Sequence, residues 1–308
     1  MRPTLALFLF LVAAGSATAG GVGTTGANLL KASVGGRDMA MGGAATALAG
    51  DLSVLGANPA LLAPLGGRAL ELMHWPGVGG SRTEYAGYSV PLGGLGWLAG
   101  SVIFRTLPDI NNEEAQDAPI AVTDGMLMLT FSRRIGRVGG SAGLNLKVFN
   151  SALGEIRASS FALDAGAVTQ SRGANPIRYG VAIVNLGQPV KFEESGEPLP
   201  LAVRLGAAWS RAFFPHSLTL AADAKFDVEQ NARLAGGVEW LQSGRLAIRG
   251  GGGWSRYGGG TVSLGGGWRF RSTILGPEAE YRLDYAFLPF TTPGALVPAN
   301  VFSVFVRF

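Results

Sequence analysis

The 308-residue chain contains no cysteine. That removes disulfide frameworks, thiolate metal sites and cysteine nucleophiles together, and with them a large part of enzyme chemistry. Histidine is nearly as scarce: the two present, His74 and His216, fall at opposite ends of the strand pattern described below and are not expected to share a metal. Charged residues make up only 15% of the chain, and lysine is limited to Lys31, Lys147, Lys191 and Lys225, so the net charge of +4 rests on arginine. No basic run exceeds Arg133-Arg134, whereas nucleic-acid binding needs a concentrated patch; nucleic acid is not an expected partner. Long hydrophobic runs are missing as well. The best, Leu5 to Gly15, is roughly half the ~20 residues that a membrane-spanning helix needs. Every later stretch is broken by charge, Gly or Pro, so no transmembrane helix is expected.

What is present points elsewhere. The chain is 47% hydrophobic with 48 glycines, a balance unusual for a soluble domain and common in barrels. Glycine also argues against long helices, where each costs about 1 kcal/mol relative to Ala. Arg2, the apolar run after it and Ala17-Thr18-Ala19 form the n-region, h-region and cleavage site of a secretory signal peptide, so residues 1–19 are expected to be removed after Ala19.

From Ala69 onward the sequence divides into segments of about ten residues with alternating polarity, separated by Gly, Pro and charged turns, as in a transmembrane barrel. Fourteen are expected, near 70–75, 82–91, 95–105, 123–134, 138–150, 157–169, 176–186, 200–213, 216–228, 231–241, 245–254, 259–271, 278–288 and 299–308. In 217–228, Leu218, Leu220, Ala222, Ala224, Phe226 and Val228 share one face and Thr219, Asp223, Lys225 and Asp227 the other. Leu144, Leu146 and Val148 oppose Asn145 and Lys147 in the same way. A charge at every second position costs about 2–4 kcal/mol per Arg or Lys at the bilayer midplane, so these side chains must face inward.

The expected polar lumen therefore holds Lys147, Asp164, Arg178, Arg204, Asp223, Lys225, Asp227, Arg233 and Glu239, then Arg245, Arg249, Arg269, Arg271, Glu278, Glu280, Arg282, Asp284 and Arg307. Mixed signs favour a salt-bridged interior over an open permeation path. Trp97, Trp209, Trp240, Trp254 and Trp268 sit near segment ends, as an interfacial girdle requires. Short turns at 92–94, 135–137 and 214–215 alternate with long connections at 106–122, 187–199 and 289–298, the asymmetry of short periplasmic turns and long outer loops.

The chain ends on Phe302, Val304, Val306 and Phe308 on one strand face, with Ser303 and Arg307 opposite. A terminal aromatic on such a strand resembles the sorting signal of bacterial outer-membrane barrels. Residues 20–68 carry no strand pattern; they are rich in small residues and are expected to form short helices and turns that plug the lumen, leaving 69–308 as the barrel.

The run from Gly42 and Gly43 to Gly50, then Asp51, and Asn58-Pro59-Ala60 resemble the N-terminal hatch of FadL-like outer-membrane proteins, most closely the PorV/PorQ family. Asp284 to Phe290 is similar to that family's penultimate-strand pattern. The resemblance implies an all-β fold, a transmembrane antiparallel barrel of about fourteen strands with a hatch. It makes Arg37, Gly42, Gly43, Asp51, Asn58, Pro59 and Ala60 the candidate hatch residues. It implies no enzyme activity and no cofactor, a place in the bacterial outer membrane, and a role in protein export or assembly of the type IX secretion kind. The expected partners are outer-membrane lipids and lipopolysaccharide, the outer-membrane assembly machinery, and secretion-system or cargo proteins. The alternative is passive transport of hydrophobic small molecules such as fatty acids.

Three further patterns have plainer readings. Gly21 to Gly26 matches G-x-G-x-x-G by letter, yet lacks the strand before it and the helix after it that a dinucleotide site needs. His74 near Ser81 is a loose hydrolase candidate better read as loop residues. Glu113-Glu114 and Glu193-Glu194 read as solvated outer-loop charge.

Overall fold

The computed structural model describes residues 24–308 apart from 78–79, 111–119, 137–138, 174, 193–194, 230–231, 276–278 and 293–294. The signal peptide, Gly21 to Gly23, both glutamate pairs and Glu278 lie outside the described residues.

Fourteen strands close into one antiparallel barrel. In chain order the first seven are β1 (Ala69–Pro76), β2 (Arg82–Pro91), β3 (Trp97–Ile110), β4 (Ile120–Ile135), β5 (Gly140–Leu153), β6 (Ile156–Gln170) and β7 (Ile177–Gly187). A two-stranded hairpin, β8 (Val190–Phe192) and β9 (Ser195–Glu197), stands apart from the wall. The barrel resumes with β10 (Ala202–Phe213), β11 (His216–Asp227), β12 (Ala232–Gln242), β13 (Leu246–Ser255), β14 (Gly259–Ser272), β15 (Ala279–Thr292) and β16 (Ala295–Arg307). Each wall strand pairs with the wall strands before and after it, β7 pairing with β10 past the hairpin, and β1 closes the ring on β16 from Ala69 opposite Arg307 to His74 opposite Phe302. Closure leaves no unpaired edge, the condition for backbone to cross a bilayer as strands.

Alternation decides which way each side chain points. On β5, Leu144, Leu146 and Val148 are exposed, while Asn145 and Lys147 are buried. On β11, Leu220 and Phe226 face out and Thr219 and Asp223 are buried inward. The outward Leu, Val and Phe side chains form an apolar belt around the wall, as a barrel sitting in hydrocarbon requires.

Three expectations need correction. The connection expected at 289–298 is largely strand: β15 runs to Thr292 and β16 starts at Ala295, with Pro289 opposite Pro298, so the hairpin prolongs the wall. The connection at 187–199 likewise contains the β8–β9 hairpin. Trp97 does not belong to the girdle. It lies opposite inward-facing Ser132, packs against the lumenal core and carries the Arg134 guanidinium 5.0 Å from its ring centroid. The other four girdle candidates, Trp209, Trp240, Trp254 and Trp268, face outward.

The C-terminal face is also less uniform than its letters suggest. Phe302 and Val304 are exposed to lipid, whereas Val306 is buried beside Ala279 and Tyr281. Phe308 lies past the last strand residue, tilted against Tyr88 at 6.4 Å. On the inner face Val301 and Phe305 are buried against the segment that fills the lumen.

That segment is residues 24–68. It contains 3-10 turns at Asn28–Lys31, Ser53–Gly56 and Pro59–Leu61 and two short helices, α1 (Gly36–Ala40) and α2 (Leu62–Leu65). Gly26 N–H donates to Pro198 O beside the β8–β9 hairpin, and Arg68 pairs with Phe308 at the other end of the barrel. The segment thus runs the length of the lumen. Its Leu29, Met41, Leu48, Leu52, Leu55 and Leu61 are almost wholly buried.

Candidate functional site

Besides the apolar core, the plug meets the wall through polar clusters, three of them large, and through glycine. The first cluster is a closed ring of six charges. Arg37 of α1 donates from Nε and Nη2 to the two oxygens of Glu239 on β12, at 2.8 and 3.0 Å, and from Nη1 to Asp51 at 2.6 Å. Asp51 also accepts from Arg282 on β15. Arg282 Nε donates to Asp284 at 2.5 Å, Asp284 pairs with Arg249 on β13 at 2.7 Å, and Arg249 Nε returns to Glu239 at 2.6 Å. Three guanidiniums and three carboxylates alternate round the ring, so it is neutral. Its members are almost entirely buried, Asp51 completely. Arg269 flanks it at 3.7 Å from Glu239, and the Phe305 ring lies 4.7 Å beneath the Arg282 guanidinium. Two members come from the plug and four from three wall strands, so the ring ties plug to wall. Bidentate guanidinium–carboxylate pairs set distance and orientation together.

The second cluster lies on β10–β12. Thr46 of the plug donates through its backbone N–H and its hydroxyl to Asp223, at 2.9 and 2.5 Å, while Arg204 pairs with Asp223 at 3.0 Å and donates to the Thr46 hydroxyl. Arg204, Lys225 and Arg233 stand side by side in register across the three strands. Lys225 has Asp227 at 3.7 Å, and Arg233 donates to Gly42 O. The Gly43 carbonyl accepts from Arg204 at 3.4 Å. Arg178, on β7, donates to Ala47 O.

The third cluster is at a bulge between β6 and β7. Asp164 accepts from Lys147 (2.7 Å), from Asn145 (2.7 Å) and from the backbone of Asn185 (2.7 Å). Asn185 takes a positive φ of 64° there, a conformation that Asn tolerates better than most residues. Asn145 reaches on to Leu55 O in the plug at 2.9 Å.

Asn58, Pro59 and Ala60 dock on β4–β6. The Asn58 side chain caps the following turn by accepting from Ala60 N–H and donates to Thr46 O at 2.9 Å and Ala167 O at 3.3 Å. Ala60 O accepts from Ser132 and Ser141. The wall beneath is glycine: a Cβ at Gly143 would strike Pro59, and one at Gly166 would strike Asn58. On the far side, a Cβ at Gly237 or Gly251 would overlap the backbone of Met41, and one at Gly265 would strike Ala40. The absence of side chains at inward wall positions lets plug backbone lie directly on strand backbone.

Of the expected lumenal residues, Lys147, Asp164, Arg178, Arg204, Asp223, Lys225, Asp227, Arg233, Glu239, Arg249, Arg269, Arg282 and Asp284 meet in these clusters. Glu280, Arg271 and Arg307 lie at the barrel end where the plug leaves, with Arg307 donating to Glu280 at 2.7 Å, and Arg245 lies in a turn there. Sequence reasoning missed Glu71, which is buried on the inner face of β1 and accepts from the backbone N–H of Leu52 and Ser53 at 2.7 and 2.9 Å. Its inward parity with Ala69 and Met73 is the signal that marks it. Thr46 and the wall glycines carry no such signal. His74 pairs with Glu84 at 2.7 Å rather than with a serine, and His216 stacks on Trp240 at 5.2 Å. Among the described residues, no group of His, Asp and Glu is arranged to hold a metal ion.

At the hairpin end the plug is pinned a second time. Thr25 and Lys31 donate to Glu229, in the β11–β12 connection, with Lys31 Nζ at 2.8 Å. Burial works to raise the Glu229 carboxyl; the Lys31 and Thr25 hydrogen bonds and the Lys31 charge outweigh it and hold it below the usual carboxylate range. Beneath this pin, between plug and wall, is a cavity of about 40 Å³, with Leu29, Val34, Ile103, Met126 and Met128 on its apolar side and Asp38, Arg204 and Lys225 on its polar side. A cavity that takes benzene measures about 150 Å³, so this one holds little more than water.

Fold and site together define a plugged transmembrane β-barrel. Solved structures share this architecture: the toluene transporter TodX of Pseudomonas putida (11% identity, TM-score 0.57, covering 93% of this chain and 97% of that one) and the toluene transporter TbuX of Ralstonia pickettii (11%, 0.57, 89% and 98%). A FadL homologue of Pseudomonas aeruginosa aligns at 13% identity and TM-score 0.54, over 89% of this chain and 96% of that one. The chain has the fold of FadL-type outer-membrane barrels. Residues 12–149 also match the model of an uncharacterised protein family, UPF0164. No curated protein matches the sequence.

Proposed function

We propose that this protein is an outer-membrane channel for small hydrophobic compounds, held closed by its plug. One observation carries the reading. The plug occupies the lumen from end to end and meets the wall through glycine, ion pairs and apolar packing, contacts that can part without breaking the strand ladders of the wall. The cavity beside it has an apolar side and is too small for a ligand, so passage requires the plug to shift. TodX and TbuX, which share the fold, are toluene transporters, and this supports transport over the type IX secretion role that the PorV/PorQ resemblance implies.

The absence of native cysteine allows a direct test. A Cβ at Gly87 on β2 would lie 3.4 Å from the Leu52 Cβ of the plug, just under the usual span of a disulfide, and would require the Tyr85 hydroxyl, 2.5 Å away, to turn aside. Cells expressing the barrel are expected to take up toluene faster than cells without it. Oxidised L52C/G87C should lose that gain, and reductant should restore it. Toluene uptake that ignores both the barrel and the lock would refute the proposal.

A further inference from the structure

One end of the barrel is basic, and the other is not. At the end where β1 starts and β16 finishes, which short turns and an even strand count make the periplasmic end, Arg133, Arg134, Arg172, Arg211, Arg245 and Arg271 are all exposed. None of these six forms an ion pair among the described residues, and the one described carboxylate at that rim, Glu280, is taken by Arg307. The opposite end carries both signs: His74–Glu84, Arg105–Asp124 and Lys31–Glu229 pair there, beside the exposed Arg82, Arg157 and Arg256.

The basic rim also carries apolar tips. Leu95, Phe214 and Ile274 project from the turns at 66%, 100% and 79% exposure. Arg211 lies 4.8 Å above the ring of outward-facing Phe213, and Arg133 stands between the exposed Phe131 and Ile135. Guanidiniums stacked on aromatics beside apolar tips have the chemistry of the bilayer interface, where the apolar part enters the acyl boundary and the charge stays among headgroups. The feature recurs on turns around the circumference, β2–β3, β4–β5, β6–β7, β10–β11, β12–β13 and β14–β15, whereas a protein partner would need it gathered on one side.

We propose that this rim binds the phosphate groups of anionic phospholipids in the periplasmic leaflet through Arg133, Arg172, Arg211 and Arg245, the arginines on the outward face and in the turns. Guanidinium pairs with phosphate bidentately, so a ring of them selects anionic lipid and sets the depth at which the barrel sits. The inference does not depend on what the channel carries.

The test reconstitutes the full barrel in POPC–POPG vesicles, releases it gently and counts retained lipids by native mass spectrometry. The wild type is expected to keep POPG several-fold over its share of the bilayer, with the excess declining as salt rises. The variant R133Q/R172Q/R211Q/R245Q should lose the excess, while R157Q/R256Q at the other end keeps it. All four replaced side chains are exposed, and heat-modifiable gel mobility checks that the variant is folded. POPG retained only at its bilayer share by the wild type, or an excess unchanged in the quadruple variant, overturns the proposal. So does retention of lipid A in place of POPG from vesicles holding both, since that places the rim at the cell surface.

Discussion

Replacing Arg37 with Met should release the plug while leaving the wall folded. Arg37 supplies three charge-assisted hydrogen bonds, two to Glu239 and one to Asp51, and is one of three cations in a neutral ring. Its loss leaves two guanidiniums facing three buried carboxylates. Removing one partner of a buried pair costs about 3–5 kcal/mol. Here Glu239 keeps Arg249, Asp51 keeps Arg282, and Arg269 stands 3.7 Å from Glu239, so the low end applies, about 3 kcal/mol. At about 1.4 kcal/mol per tenfold, the undocked plug becomes roughly a hundredfold more populated. The assay places a single cysteine at Ala47, which is 1% exposed in a chain without native thiols, and follows maleimide labelling. Labelling of A47C/R37M should run about a hundredfold faster than that of A47C. Adding D51N restores ring neutrality and should recover part of the loss, giving non-additive energies. An unchanged labelling rate would refute the argument. So would loss of heat-modifiable mobility in R37M, which would make the ring a requirement of barrel folding rather than of plug docking.

Three further outcomes are expected. Gly251→Leu puts a side chain where the Met41–Gly42 backbone lies, so the barrel should still migrate as folded, yet show protease-sensitive plug residues and larger currents in planar bilayers than the wild type; wild-type currents as large as an open porin's would contradict a plugged state. Asn58→Ala strands the Ala60 N–H and the Thr46 carbonyl in a fully buried site, costing about 1–3 kcal/mol, and should loosen the plug more than it impairs insertion; equal protease sensitivity in variant and wild type would count against this. The Glu229 pin should be acid-labile: a carboxyl held below its ordinary value contributes stability above that value and loses it as pH falls toward the depressed one, so hydrogen-exchange protection of residues 25–31 should persist at neutral pH and fall in acid below about pH 4, a dependence that Glu229→Gln removes.

Much of this molecule was legible along the chain. The strands and their lipid and lumen faces follow from period-2 alternation, which is local: Leu144, Asn145, Leu146 and Lys147 announce their sides without knowledge of any partner strand. The helical turns of the plug follow from the lack of that period and from small residues. Where a local pattern stopped, so did the reading. The connection at 289–298 has few alternating residues, and only pairing across β15–β16 shows that it is strand. Trp97 stands near a strand end like the other girdle tryptophans, and only its place opposite Ser132 turns it inward.

The sequence by itself determined that the chain is a barrel, where most of its strands run and most of the charges that enter the lumen, because alternation, turn residues and the cost of charge in hydrocarbon act over a few neighbours. The tertiary structure decided which charges meet. Arg37 and Glu239 are 202 positions apart, and Asp51 and Arg282 are 231 apart. Their union depends on barrel closure and register, which bring β12, β13 and β15 round one side of the plug. Likewise only the closed wall explains the glycines that face the plug: a Cβ at Gly143, Gly237 or Gly251 would meet plug backbone remote in sequence, and one at Gly166 or Gly265 would meet the side chain of Asn58 or Ala40.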